Sequence, residues 1–349
     1  MNNRIEQLTG LRFFAALLVF VSHIKWSGSL DIYQKIFKEG YVGVSFFFIL
    51  SGFVLSLSYK EKIATGLISL KRYVFLRFAR LTPLHFATCL PFVLIAIYKG
   101  DLNVVKLLLN ISYLQSFIPN SGVYFSFNGP SWSLSNEMFF YICFFPLAAV
   151  TLRKLLVKTV FLFSIVVFSA FLVTVTIKEE VLWGGSSFAH WLFYIFPGFR
   201  ILEFLVGMIL YEAWKRGVRL KAIFIPISYL VLLASMYFAS EIPEAFRMSL
   251  YYLPASALFL FSHLTDDGVA NRFYSTKLMV LLGNASFAFY LIHQPLLIVF
   301  KRVLSSLDLS DLSFFVITLC CISFLSIIVY ELYEKRAERA LKSLSTNIC

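Results

Sequence analysis

TGLRFFAALLVFVSHI, residues 9–24, is an apolar run of membrane-crossing character that carries two ionisable side chains, Arg12 near its start and His23 near its end. A charged group at bilayer depth costs about 2.5–3.5 kcal/mol on insertion scales unless it is paired or hydrated, so each needs a reason to be there. On an α-helix their separation in sequence amounts to about 16 Å along the axis and only about 20° around it. They therefore line one face at two depths. The simplest roles are snorkelling of Arg12 to the cytoplasmic headgroups and capping of the outer helix end by His23; a shared polar face is the alternative, and the rest of the chain bears on the choice.

The whole sequence has the same character. Of 349 residues, 59% are hydrophobic, 40 are Phe and 14% are charged, and the mean hydropathy is +0.80. That exceeds what one soluble core consumes. The expected fold is all-α, a polytopic membrane helical bundle in one domain over 1–349. Runs of about 20 apolar residues place ten spans, at roughly 9–26, 40–59, 82–98, 132–150, 157–177, 189–212, 222–240, 248–263, 278–300 and 312–331. With the N-terminus inside, the inner segments, Arg4 among them, hold 20 of the 31 Lys and Arg. The outer segments, with Lys25 and Lys178, hold nine, and Arg12 and Arg200 lie within spans. This asymmetry favours both termini in the cytoplasm. The net charge of +12 then records topology, and no nucleic-acid partner is expected.

The first span is broken by Arg12 and ends in SHIKW with no small-residue cleavage site, so it should persist as a helix and not be removed as a signal peptide. Cys89, Cys143, Cys320, Cys321 and Cys349 lie in spans or the C-terminal tail without metal-ligand spacing, which predicts neither a disulfide framework nor a metal site. Within 99–131, the short apolar piece VVKLLLNISYLQSFI suits an interfacial or re-entrant position better than a crossing.

Polar residues at membrane depth are the candidates for function. In KRYVFLRFARLTPLHF, Arg77 and Arg80 share a helical face near the inner surface, a spacing that suits a phosphate clamp as well as positive-inside flanking. GYVGVSFFFILSGFVLS sets Gly43, Ser45, Ser51 and Gly52 among large aromatics, which permits close helix packing or a narrow slot. In GPSWSLSNEMFFY, Glu137 falls within two turns of a helix start on the outer side, at the depth that matches His23. It is expected to steady that imidazole, with interaction at the helix N-terminus as the alternative. His293, in FYLIHQP, is either a second functional histidine or a donor to carbonyls freed by Pro295. Arg200 and Glu203 most simply pair with each other. His85, His190 and His263 fall at span ends and draw no assignment.

In combination these motifs resemble the membrane acyltransferase-3 family. The resemblance rests on the spacing of Arg12 and His23, GVSFFFILSGF at 43–53, Arg77 and Arg80, SWSLSNE at 131–137, FRILEFLVGM at 199–208 and LGNASFAFYLIHQPL at 283–297. In YEKRAERAL the sequence departs from the family, since Arg336 replaces the Pro of a frequent Glu-Lys-Pro, and Glu334 receives no catalytic role. The fused extracytoplasmic esterase-like domain of many relatives is not seen, so the chain is expected to finish the transfer alone or with a separate extracytoplasmic partner.

The resemblance implies an O-acyltransferase of the bacterial inner membrane that moves an acyl group, expected to be acetyl, from cytoplasmic acetyl-CoA to a hydroxyl of an envelope polysaccharide, with lipopolysaccharide O-antigen the leading acceptor. It places Arg12, Arg77 and Arg80 on the CoA phosphates. His23 becomes the general base and Glu137 its support, with an acyl-histidine intermediate as the other route. Ser51, Ser133, Arg200, Glu203 and His293 form a secondary set. No permanently bound cofactor and no metal is expected. Buried Arg and Glu also mark transporters of anionic solutes, and a polysaccharide polymerase or flippase is a third class; the order of the motifs favours the acyltransferase.

Overall fold

A computed structural model describes residues 5–24, 26, 31–177, 185–265 and 268–344, and Arg4, Lys25, Lys178 and Cys349 lie outside them. Every regular element among the described residues is helical. The longer ones are α1 (Glu6–Ser22), α2 (Val42–Ala64), α3 (Leu70–Lys99), α4 (Trp132–Ala148), α5 (Leu152–Thr176) and α6 (Pro197–Lys215). They continue with α7 (Phe224–Phe238), α8 (Leu253–Ser262), α9 (Lys277–Asn284), α10 (Ser286–Val303), α11 (Asp311–Val329) and α12 (Lys335–Leu344). Local chemistry sets several ends. α3 starts where Ser69 Oγ accepts from the Arg72 amide at 3.3 Å, and it stops at Gly100, whose φ of 70° is the left-handed cap conformation.

The centre of the bundle is α1 and α2. α1 packs on α2, α9 and α10, while α2 also meets α4, α6 and α8. The contact of α2 with α6 is made possible by two glycines facing each other's backbone: a Cβ on Gly52 would strike the Phe204 carbonyl, and one on Gly207 the Ile49 carbonyl. Of the small residues read in span two, Gly43 likewise faces the Ala15 carbonyl of α1, so for these glycines close packing is the observed role. Helices α5, α7 and α11 are peripheral and expose Phe161, Phe168, Phe171, Leu230 and Phe324. Those apolar faces suit lipid.

By length and composition, six helical stretches can cross a membrane: Lys35–Ala64, Leu70–Lys99, Leu152–Thr176, Phe188–Lys215, Phe224–Glu241 and Asp311–Leu344. The pair α9 and α10, bent by 63°, makes a seventh if taken as one span. The other three expected spans are helical but short: α1 and α4 have 17 residues each, and α8 has 10. Special backbone limits two of them. α4 grows from a 3-10 turn at Gly129–Ser131, and α8 follows a π-helical turn at Arg247–Tyr251 and has Pro254 in its first turn.

The segment between α3 and α4 is tied into the protein. It forms only short helical pieces, Val104–Ile111, Gln115–Phe117 and Ser121–Tyr124, matching the expectation that it would not cross. The His85 Nε2 lies 3.2 Å from the Asn110 carbonyl, and Ser116 Oγ donates to the Trp132 carbonyl at 2.7 Å. His85 is thus fully buried in the middle of α3 and not at a span end, because the helix begins well before the apolar run does.

Gly207→Val should lower the stability of the detergent-purified protein by about 1–3 kcal/mol or more, since the added carbons must displace the α2 backbone. Thermal unfolding compared with wild type measures this.

Candidate active site

Two cavities lie side by side inside the bundle. The inner one, about 130 Å³, is lined by Arg12, Arg77, Arg80, Glu137 and Tyr141, with Ser51 and Ser133. The outer one, about 510 Å³, is lined by His23, His293, His190, Tyr41, Trp132, Tyr194 and Asn128. Val44 and Tyr290 belong to both walls. The helices reach this arrangement by simple periodicity. Val44, Phe47, Phe48, Ser51, Val54 and Leu55 form one stripe of α2 along the inner cavity, and Ser133, Glu137 and Tyr141 form one stripe of α4.

His23 closes α1. Its amide turns to the Phe20 carbonyl at 3.0 Å, which leaves the Val19 carbonyl without its usual helical partner. Side chains supply one: Ser22 Oγ donates at 2.7 Å and His23 Nδ1 at 2.8 Å. A carbonyl only accepts, so Nδ1 carries the proton and a neutral His23 presents its Nε2 lone pair. His293 is built the same way, with Nδ1 donating to the Tyr290 carbonyl at 2.6 Å. Its Nε2 has no hydrogen-bond partner among the described residues, and the two imidazole centroids are 5.0 Å apart. The carbonyl that Pro295 deprives of a partner is that of Leu291, and Asn128 Nδ2 fills the gap at 3.0 Å. His293 is therefore not occupied with repairing that break.

Among the inner arginines the environments differ. Arg77 donates to the Tyr59 hydroxyl at 2.5 Å and lies over that ring, 4.6 Å from its centroid. Arg80 bonds Glu334 and reaches Glu338 at 3.3 Å, so its guanidinium already faces two carboxylates. Glu334, read from sequence as without a catalytic role, is a buried partner of Arg80.

The expected pairing of Glu137 with His23 is not formed. Glu137 accepts from the Tyr141 hydroxyl at 2.6 Å and lines the arginine cavity, not the histidine one. The reason lies in where α4 begins. Pro130, Ser131 and Trp132 are buried, so the helix starts inside the bundle, and counting residues from the outer surface misjudges the depth of Glu137. The neighbour of His23 is His293 instead.

Arg200 and Glu203 pair at 3.0 Å, both fully buried. They line neither cavity. Arg200 also donates to the Met248 carbonyl at 2.9 Å and to Ser45 Oγ at 3.2 Å, and it sits 5.0 Å from the ring centroids of Phe48 and Tyr194. It braces the walls of both cavities from behind. Sequence reasoning missed Tyr41, Trp132, Asn128 and Tyr194, and set His190 aside. Tyr194 and Met248 lie in π-helical turns, Trp191–Ile195 and Arg247–Tyr251, where helical periodicity gives no usable signal.

A membrane helical bundle with an arginine-lined inner cavity that shares a wall with a histidine-lined outer one fits a group transferase. The chain belongs to the acyltransferase-3 family, whose acyltransferase domain matches residues 5–331. It is similar to the acyltransferase MdmB of Streptomyces mycarofaciens, with 31% identity over 315 residues, covering 83% of this chain and 78% of that protein. It is also similar to the O-acetyltransferase OatA of Staphylococcus aureus, at 23% identity over 319 residues, covering 83% of this chain and 50% of OatA. No solved structure matches the chain. The protein is thus a membrane acyltransferase that transfers groups other than aminoacyl groups.

Asn128→Ala leaves the buried Leu291 carbonyl unpaired and should lower stability by about 1–3 kcal/mol. Asn128→Asp should not restore it, because a carboxylate has no proton to donate; chemical or thermal unfolding of the two variants tests both statements.

Proposed function

We propose that the chain is a bacterial inner-membrane O-acetyltransferase that takes acetyl from cytoplasmic acetyl-CoA and places it on a sugar hydroxyl of an envelope polysaccharide, with lipopolysaccharide O-antigen the leading acceptor. The topology in this reading is ten crossings, counting the short helices and the bent pair, with both termini in the cytoplasm. The observation that carries the reading is the division of polar chemistry between two adjoining cavities: arginines in one, and in the other the imidazoles of His23 and His293, whose Nδ1 atoms are held by backbone carbonyls. The similarity to OatA, an O-acetyltransferase, supports acetyl as the group moved.

In this mechanism Arg12 and Arg77 hold the phosphates of the donor, and its pantetheine arm extends past Val44 and Tyr290. The axial distance from Arg12 to His23, about 16 Å, is comparable to that arm's reach. His23 Nε2 accepts the acceptor hydroxyl's proton as the oxygen attacks the thioester carbonyl. The carbon–sulfur bond breaks, and the proton held on Nε2 passes to the departing CoA sulfur. Throughout, Nδ1–H stays on the Val19 carbonyl, which fixes the ring's tautomer and orientation. Glu137 acts on the donor side, as a counter-charge among the arginines. Neither a metal nor a resident cofactor takes part.

Incubating the purified protein with radiolabelled acetyl-CoA and lipid-linked glycans tests the reading, which predicts label on the glycan. His23→Ala should bind acetyl-CoA normally and lose at least about a hundredfold in turnover. Arg77→Ala should bind acetyl-CoA about ten- to hundredfold more weakly, the equivalent of one charge-assisted contact of about 1.5–3 kcal/mol. Normal turnover by the His23 variant contradicts the base assignment.

A further inference from the structure

The wall of the inner cavity carries at Arg80 a charge arrangement that the transfer step above does not use. Arg80 lines that cavity, yet its guanidinium is taken up by two carboxylates from the end of the chain. Glu334 sits in a π-helical turn, Tyr330–Glu334, with 2% of its side chain exposed. Glu338 lies one turn further on, in α12, with 18% exposed, and is shared with Lys342 at 2.5 Å. Next to Glu334, the Tyr333 hydroxyl donates to the Pro83 carbonyl at 2.9 Å, and α12 packs along α3. The segment is thus anchored against the helix that bears Arg77 and Arg80.

The two carboxylates are not equivalent. Glu334 is enclosed and has only Arg80 as its ion-pair partner among the described residues. Glu338 makes the longer contact with Arg80, is more accessible, and has Lys342 to hold it if it leaves. An anion arriving from the cytoplasmic side meets an arginine with one fixed and one exchangeable counter-charge. Phosphate competes well for such a place, since it offers several acceptor oxygens to a planar guanidinium.

We propose that Glu334 is a positioning residue that aims Arg80 into the inner cavity, and that Glu338 occupies the place on Arg80 taken by a donor phosphate when acetyl-CoA binds. Donor affinity is then set by an exchange of carboxylate for phosphate at the C-terminal helix. This rests on the reading that the arginine cavity is the donor site.

The signs of two substitutions separate this from a merely structural role. Glu338→Gln removes the competitor and should tighten acetyl-CoA binding about three- to tenfold by calorimetry. Glu334→Gln frees Arg80 to turn away and should weaken it about tenfold or more, raising the donor KM with little change in kcat. With S-acetylpantetheine, which has the thioester but no nucleotide phosphates, Glu338→Gln should give no gain. If Glu338→Gln weakens acetyl-CoA binding, or improves S-acetylpantetheine binding equally, the exchange is wrong. Should Glu334→Gln fail to fold, the Glu338→Gln comparison between the two donors still decides. Failure of the donor-site reading looks different: Arg77→Ala then binds acetyl-CoA as wild type does.

Discussion

A fully buried guanidinium in a membrane bundle needs partners for its charge, and Arg200 organises the interior through those it has. It pairs with Glu203 on its own helix, reaches Ser45 on α2 and the Met248 carbonyl, and lies against Phe48 and Tyr194. Removing one partner of such a pair strands the other charge, at a cost of about 3–5 kcal/mol. The geometry explains what is gained. Phe48 is a wall of the inner cavity, while Met248 and Tyr194 are walls of the outer one, so one cation fixes the relative position of two chambers. The glycine contact between α2 and α6 lets Arg200 approach Ser45 closely enough to do so.

On that scaffold, helix ends become chemistry. α1 stops at His23 because its last carbonyls need partners, and the imidazole that caps Val19 is left with one tautomer and a free lone pair. His293 reaches the same state in mid-helix, relieved by Asn128 of the carbonyl that Pro295 freed. The inner cavity is arranged differently, with cations balanced by Glu137, Glu334 and Glu338 and therefore responsive to an anion. Group transfer needs both kinds of site, one to hold charge and one to move a proton.

Much of this was legible in the sequence. The spacing of Arg12 and His23, the Arg77 and Arg80 pair, and the Arg200–Glu203 pairing follow from helical geometry alone. Hydropathy gave the membrane class, but its ten runs became six long helices and a bent seventh, with three shorter ones, because 3-10 and π turns and prolines interrupt what composition reads as continuous. Glu137 lines the arginine cavity and not the histidine one, because α4 begins in the interior and depth counted from the surface does not locate it. The contact of Arg80 with Glu334 and Glu338 joins residues more than 250 apart in sequence, and no local pattern announces it.

The most direct measurement of the central claim is the position of the donor in the enzyme, from a cryo-electron microscopy map of the protein with acetyl-CoA bound. The account predicts phosphate density against Arg12 and Arg77, the pantetheine arm passing Val44 and Tyr290, and the acetyl end beside His23 Nε2. Nucleotide density in the outer cavity, or an acetyl group that stops short of the histidines, would contradict it.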